Sequence, residues 1–122
     1  MIFIDSSFLS WYNRIDLLGK WGEVLEVRYK NRKLEKICTD ADSARKAYGA
    51  NMARKIHQRI DEITAADSVE MMVQFHIGRC HPLNGKRKEQ YAVDLEQPYR
   101  LIFIKIGSEV QIVEVQEIVD YH

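Results

Sequence analysis

Residues 80–104 read CHPLNGKRKEQYAVDLEQPYRLIFI, and the architecture of the chain can be built outward from them. Residues 90–95 alternate in polarity, Pro98 closes a turn, and residues 100–106 alternate again with β-branched and aromatic side chains, which predicts two antiparallel strands. Gly107-Ser108 is a hairpin signal, and residues 110–119, rich in Val110, Ile112, Val113 and Val115, predict a long final strand. Upstream, VLEVRY at residues 24–29 has the same alternation and predicts a strand that must join the sheet across a helical crossover.

Helical spacing fills the interval. Asn31 is placed to cap a short helix with Leu34, Ile37, Cys38 and Ala41 on one face. From residue 42 to residue 65, Tyr48, Met52, Ile56, Ile60 and Ile63 share an apolar arc, and Gly49 is expected to break the segment in two. Asp67 or Ser68 would cap a last short helix, with Met71, Met72, Val73 and Phe75 as a core plug. The fold class expected is α+β, an antiparallel sheet with helices packed on one face. Residues 1–23 are set apart: Phe8, Trp11, Tyr12, Ile15 and Leu18 recur at helical spacing after a short apolar start, which predicts a helical N-terminal extension. Residues 24–122 would form the main domain.

Composition narrows the function classes. The 122 residues are 46% hydrophobic and 30% charged, the proportions of a globular protein with one core. No apolar run approaches the ~20 residues a membrane span needs, and no signal peptide is expected. Cys38 and Cys80 form neither a metal knuckle nor a disulfide framework, so both are read as reduced thiols of a cytoplasmic protein. Formal net charge is zero, which removes a whole-molecule argument for nucleic-acid binding. Two local clusters of positive charge survive: Arg28, Lys30, Arg32, Lys33 and Lys36, then Arg79, Lys86, Arg87 and Lys88.

Several chemistries lack their residues. His76, Cys80 and His81 lie close together but have no recognised zinc spacing, no nucleophile elbow is present, and no Gly-rich phosphate loop precedes a helix. Phosphodiester cleavage fits better. RNA carries its own nucleophile in the 2′-hydroxyl, so an enzyme need only align it, move protons and stabilise charge on phosphorus. His, Asp and Tyr move protons, and the Arg guanidinium matches phosphoryl oxygens. The loop supplies His81, Lys86 and Arg87, a strand supplies Arg100, and the tail adds Asp120, Tyr121 and His122.

Taken together, HPLNGKRKEQYAVDL, PYRLIF and the terminal EIVDYH resemble the HigB-type toxins of the RelE/ParE toxin–antitoxin superfamily, over residues 24–122. The resemblance implies a RelE-like microbial ribonuclease fold and a metal-independent endoribonuclease, an mRNA interferase that needs no cofactor. It implies action on mRNA in the ribosomal A site, stopping translation. It implies a HigA-type helix-turn-helix antitoxin as partner, operator DNA bound only through that antitoxin, and no membrane. His81 matches the loop His of the H-x-L-x-G motif, Arg87 the Arg that follows its Gly, and Arg100 the strand Arg expected at the scissile phosphate. Asp120, Tyr121 and His122 match the C-terminal DYH, with His122 the leading proton-transfer candidate. Asn84 stands where many relatives carry Lys, and with Lys86 and Lys88 it is expected to contact RNA. As the last residue of the sequence, His122 is expected to have its imidazolium favoured by its own α-carboxylate. The alternative on the same fold is a ParE-like inhibitor of DNA gyrase without nuclease activity; a third is a toxin whose activity has decayed.

Overall fold

The computed structural model describes residues 25–107 and 111–120. The expected extension at residues 1–23, the tip of the Gly107-Ser108 hairpin, and Tyr121 and His122 therefore lie outside the described residues.

Strand β1 (Glu26–Tyr29) leads into helix α1 (Arg32–Thr39), which starts where the Asn31 side chain accepts the Leu34 N–H at 2.9 Å. The next residue after α1, Asp40, ends one helix and opens another, α2 (Ala41–Tyr48). Its carboxylate accepts the Ser43 N–H at 3.1 Å and the Ser43 hydroxyl at 2.6 Å, and these bonds hold its pKa below the ordinary value. That cap corrects the reading of Ala41 as part of the first helix face, because Ala41 starts α2 and is exposed. Gly49 separates α2 from α3 (Ala50–Ala65) with φ 91° and ψ 168°, a conformation essentially reserved for glycine. Helix α4 (Val69–Gln74) is capped by the Ser68 hydroxyl, which accepts the Met71 N–H at 3.0 Å. Val69 and Met72 are buried, but Phe75 is 64% exposed, because α4 ends at Gln74 and Phe75 leaves it away from the buried arc. The expected core plug is thus shorter than the sequence suggested.

The remaining strands are β2 (His81–Pro82), β3 (Gln90–Asp94), β4 (Tyr99–Ile106) and β5 (Ile112–Asp120). They form a five-stranded sheet in the order β1-β5-β4-β3-β2. β1 runs parallel to β5, and the other neighbours are antiparallel. Strand β2 lies in what the sequence suggested was a loop; Pro82 limits it to an edge, where a missing N–H costs no ladder bond. One sheet face packs Val93, Leu95, Leu101, Phe103, Val113 and Val115 against the helices through Ile56, Ile63 and Met72. Each such side chain contributes about 1.5–3 kcal/mol by leaving water. Tyr91 stacks on Phe103 with ring centroids 5.5 Å apart, extending that face toward the sheet edge.

Two features fix where residues of β5 point. The pairing of β4 with β5 shifts between Ile102 and Phe103: Phe103 faces Val115, whereas Ile102 faces Glu117. Gln116 is the extra residue, and this bulge turns Glu117 and Val119 to the face away from the helices. Separately, Glu70 of α4 accepts hydrogen bonds from Lys105 at 2.7 Å and Gln111 at 2.6 Å, tying α4 to the β4–β5 hairpin.

The hydrogen bonds from Lys105 and Gln111 lower the Glu70 pKa, and the bond to Glu70 raises that of Lys105. Glu70 therefore contributes stability above the ordinary carboxylate pKa and loses it as pH falls through the lowered folded value. Lys105 contributes below its ordinary pKa and loses it as pH rises through the raised folded value. Glu70→Gln is expected to cost about 0.2–1 kcal/mol at neutral pH, as a largely exposed pair should, with the gap to wild type closing under acid in urea titrations. A gap that widens on acidification would contradict the assignment. Gly49→Ala is expected to cost about 1–3 kcal/mol, since a Cβ is strained at that φ even though no atom lies within 4 Å of it. An unchanged urea midpoint would overturn this.

Candidate active site

The chain leaves α4 through a tight left-handed passage in which His76, Gly78 and Arg79 all have positive φ, at 55°, 59° and 56°. Gly78 sits where a Cβ would lie 2.8 Å from the Arg59 side chain, so the absence of a side chain is what lets the passage run this close to that arginine. It delivers Cys80 into the core and His81 to the first position of β2. The His81 Nδ1 lies 2.8 Å from the Arg79 carbonyl oxygen. A carbonyl only accepts, so Nδ1 carries the proton, and Nε2 of the neutral ring is the acceptor nitrogen. In its neutral form this tautomer presents Nε2 as a proton acceptor, as a general base must.

A short 3-10 turn, Gly85–Arg87, follows Asn84, with Gly85 at φ 67°. Asn84, Lys86 and Lys88 are exposed on it, whereas Arg87 folds back over the sheet. Its guanidinium donates to Gln90 Oε1 at 3.0 Å and to Glu117 Oε1 at 2.8 Å.

Strand register then assembles the site. Directly paired residues share a sheet face, so His81, Ala92, Ile102 and Glu117 form one row across β2, β3, β4 and β5. The next row is Asp94, Arg100 and Val119, roughly 6.6 Å along the strands. Both rows lie on the face away from the helices. Arg100 Nε is 3.5 Å from Asp94 Oδ1, and Arg79 Nε is 3.3 Å from Asp94 Oδ2. Arg59 of α3 donates to the Asp94 carbonyl oxygen at 2.6 Å and to Glu62 at 2.7 Å, tying the helices to this end of β3. A charge-assisted bond of this kind contributes about 1.5–3 kcal/mol.

The structure thus brings His81, Arg87 and Arg100 onto one face, with Asn84, Lys86 and Lys88 on the loop beside it. Asp120 ends β5 opposite Tyr99, the alternate position to Arg100, so it borders that face without sharing its row. Tyr121 and His122 follow it outside the described residues. Sequence reasoning missed Asp94, Gln90 and Glu117, which hold the arginines. A signal existed for Asp94, since an aspartate inside an otherwise apolar strand is disfavoured unless something pairs with it.

Cys80 precedes His81 but is no nucleophile for it: burial pushes the thiols of Cys80 and Cys38 up to about 12. Both should stay unlabelled by a thiol reagent at pH 7.5 in the native chain and react promptly once it is unfolded. Rapid native labelling would show that the thiols are not shut in the core as described. No helix among the described residues is long and apolar enough to cross a membrane.

No protein-family model and no curated protein matches the chain. Among solved structures it is similar to a YoeB/ParE toxin from Agrobacterium tumefaciens, at 15% sequence identity and a TM-score of 0.57. The likeness covers 80% of this chain and 100% of that one. The fold is therefore the α+β arrangement of RelE/YoeB-like toxins, with a five-stranded sheet and its helices on one face.

Proposed function

We propose that residues 24–122 are the toxin of a type II toxin–antitoxin pair, of HigB type, and that they cleave messenger RNA without a metal. The observation that carries this reading is the convergence of His81, Arg87 and Arg100 on one face of a sheet with a RelE/YoeB-like toxin fold. A proton-transfer group next to two guanidiniums is what in-line attack by the RNA 2′-hydroxyl needs. His81, with Nε2 as acceptor, takes the 2′-hydroxyl proton; Arg100 and Arg87 stabilise charge on the phosphoryl oxygens. Asp120, Tyr121 and His122 complete the site, with His122 protonating the 5′-oxygen that leaves. Asn84, Lys86 and Lys88 contact the RNA backbone. The substrate is mRNA in the ribosomal A site, the inhibitor a HigA-type antitoxin that also carries the complex to operator DNA, and the compartment the cytoplasm. Residues 1–23 stand as an extension outside the catalytic unit.

A second reading has its own support. Each site arginine is paired with a carboxylate, Arg87 with Glu117 and Arg100 with Asp94, as arginines with a structural role would be. On that reading the chain resembles a ParE-like gyrase inhibitor and does no RNA chemistry.

Expression of the wild type, Arg100→Ala and His81→Ala in cells, with RNA ends mapped, separates the two. Cleavage is expected for the wild type, with losses of about 10²–10³-fold for Arg100→Ala and about 10²–10⁴-fold for His81→Ala. Growth arrest accompanied by DNA damage and no new mRNA ends would falsify the nuclease reading in favour of the gyrase reading. A variant lacking residues 1–23 is expected to keep full cleavage; a folded truncation that cleaves nothing would refute the domain division.

A further inference from the structure

Among the described residues, Asp94 is the one charged side chain that is buried, at 7% exposure. Its place within a catalytic reading is unexpected, because an anion beside a phosphate-binding arginine repels the phosphate. Its surroundings answer that objection. Two guanidiniums, Arg79 and Arg100, approach its two carboxylate oxygens, leaving the cluster one positive charge in excess. Its backbone is pinned as well, through the hydrogen bond that Arg59 donates to its carbonyl oxygen. Oδ1, the oxygen nearest Arg100, is buried and makes no hydrogen bond, with Arg100 Nε standing off at 3.5 Å. The same row of the sheet sets Asp94 directly opposite Arg100.

We propose that Asp94 is the positioning residue for Arg100 in RNA cleavage: held by Arg79 and Arg59, it fixes the guanidinium over the site face before substrate arrives. The inference rests on the nuclease reading above and extends it. An unheld arginine loses about 2 kcal/mol of rotamer freedom when a phosphate orders it. One already aligned pays that cost during folding, so none of it is charged to the transition state. Asp94 itself is 7% exposed, on the same sheet face as Ala92 and Ile102, both 0% exposed, and that low exposure strengthens its pairing with Arg100. Arg79, 3.3 Å from Oδ2, is the counter-cation on the carboxylate's other oxygen.

The test is a double-mutant cycle on the full chain, with cleavage followed in a purified translation mixture. Asp94→Asn is expected to lower kcat roughly 10²-fold, the scale of an ångström's misplacement, while KM stays within about 3-fold. In an Arg100→Ala background the same change is expected to cost under about 2-fold, because the group it positions is gone. Equal losses in the two backgrounds would mean that Asp94 is only structural, and so would a change confined to KM. Should Asp94→Asn fail to fold, the wild type decides: the Arg100 Nε–Hε resonance, identified by its loss in Arg100→Lys, is expected to be rigid. A mobile, averaged Nε–Hε would overturn the proposal. A wild type that cleaves no RNA removes both this proposal and the nuclease reading, whereas a cleaving wild type with an uncoupled cycle removes this proposal alone.

Discussion

The hydrogen bonding of β4 along both of its edges is the constraint on which everything else in this molecule leans. With β3 on one side and β5 on the other, the strand can neither slide nor rotate. Its inward residues, Leu101 and Phe103, are sealed against the helices, and that burial dictates that Arg100 and Ile102 face the other way. The position of Arg100 is thus an outcome of core packing: the apolar side of the strand supplies the energy and the opposite side is positioned without extra cost. His81 inherits its place through the same ladder, since β2 pairs with β3 and β3 with β4. A helix-borne site would depend on the docking angle of each helix. Here the groups are spaced by the sheet's own lattice.

Electrostatics add a second layer to this arrangement. Three arginines meet at the end of β3, and they do different jobs. Arg59, with only 13% of its side chain exposed, bonds the backbone and joins helix to sheet. Arg79, at 75%, is a solvated counter-charge whose pairing with Asp94 contributes little by itself. Arg100, at 27%, lies between these extremes, sheltered enough to be held yet open enough to meet a ligand. Arg87 and Glu117 repeat the intermediate case on the neighbouring row. The face consequently carries positive charge that is ordered by carboxylates on the same sheet, a local excess that the chain's zero formal net charge conceals.

Most of the architecture was legible in the sequence because its signals are local. Alternation gave β3, β4 and β5, Asn31 and Ser68 marked helix starts through bonds to residues three positions on, and Gly49 marked a break through its own backbone. Residue chemistry and the family resemblance name His81, Arg87 and Arg100 for one site, and the sheet register sets them on one face. What escaped was non-local. The partners of the arginines are strand residues brought near only by register: Glu117 lies 30 positions from Arg87. Apolar periodicity runs the first helix on to Ala41, because it carries no record that Asp40 caps the next helix. Hydrophobicity alone puts Phe75 in the core, whereas the end of α4 carries it outward.

The bulge at Gln116 has a consequence for how chains with this fold are compared. Strand β5 keeps two rhythms: Val113 and Val115 point to the core in one phase, and Ile118 does so in the other. An alignment carried straight through β5 at even spacing would set Glu117 against core positions of a chain without the bulge, and would score a preserved face as a lost one. Matching such sequences separately on either side of Gln116 restores the correspondence. A single unpaired residue is enough to put half a strand out of step in such a comparison.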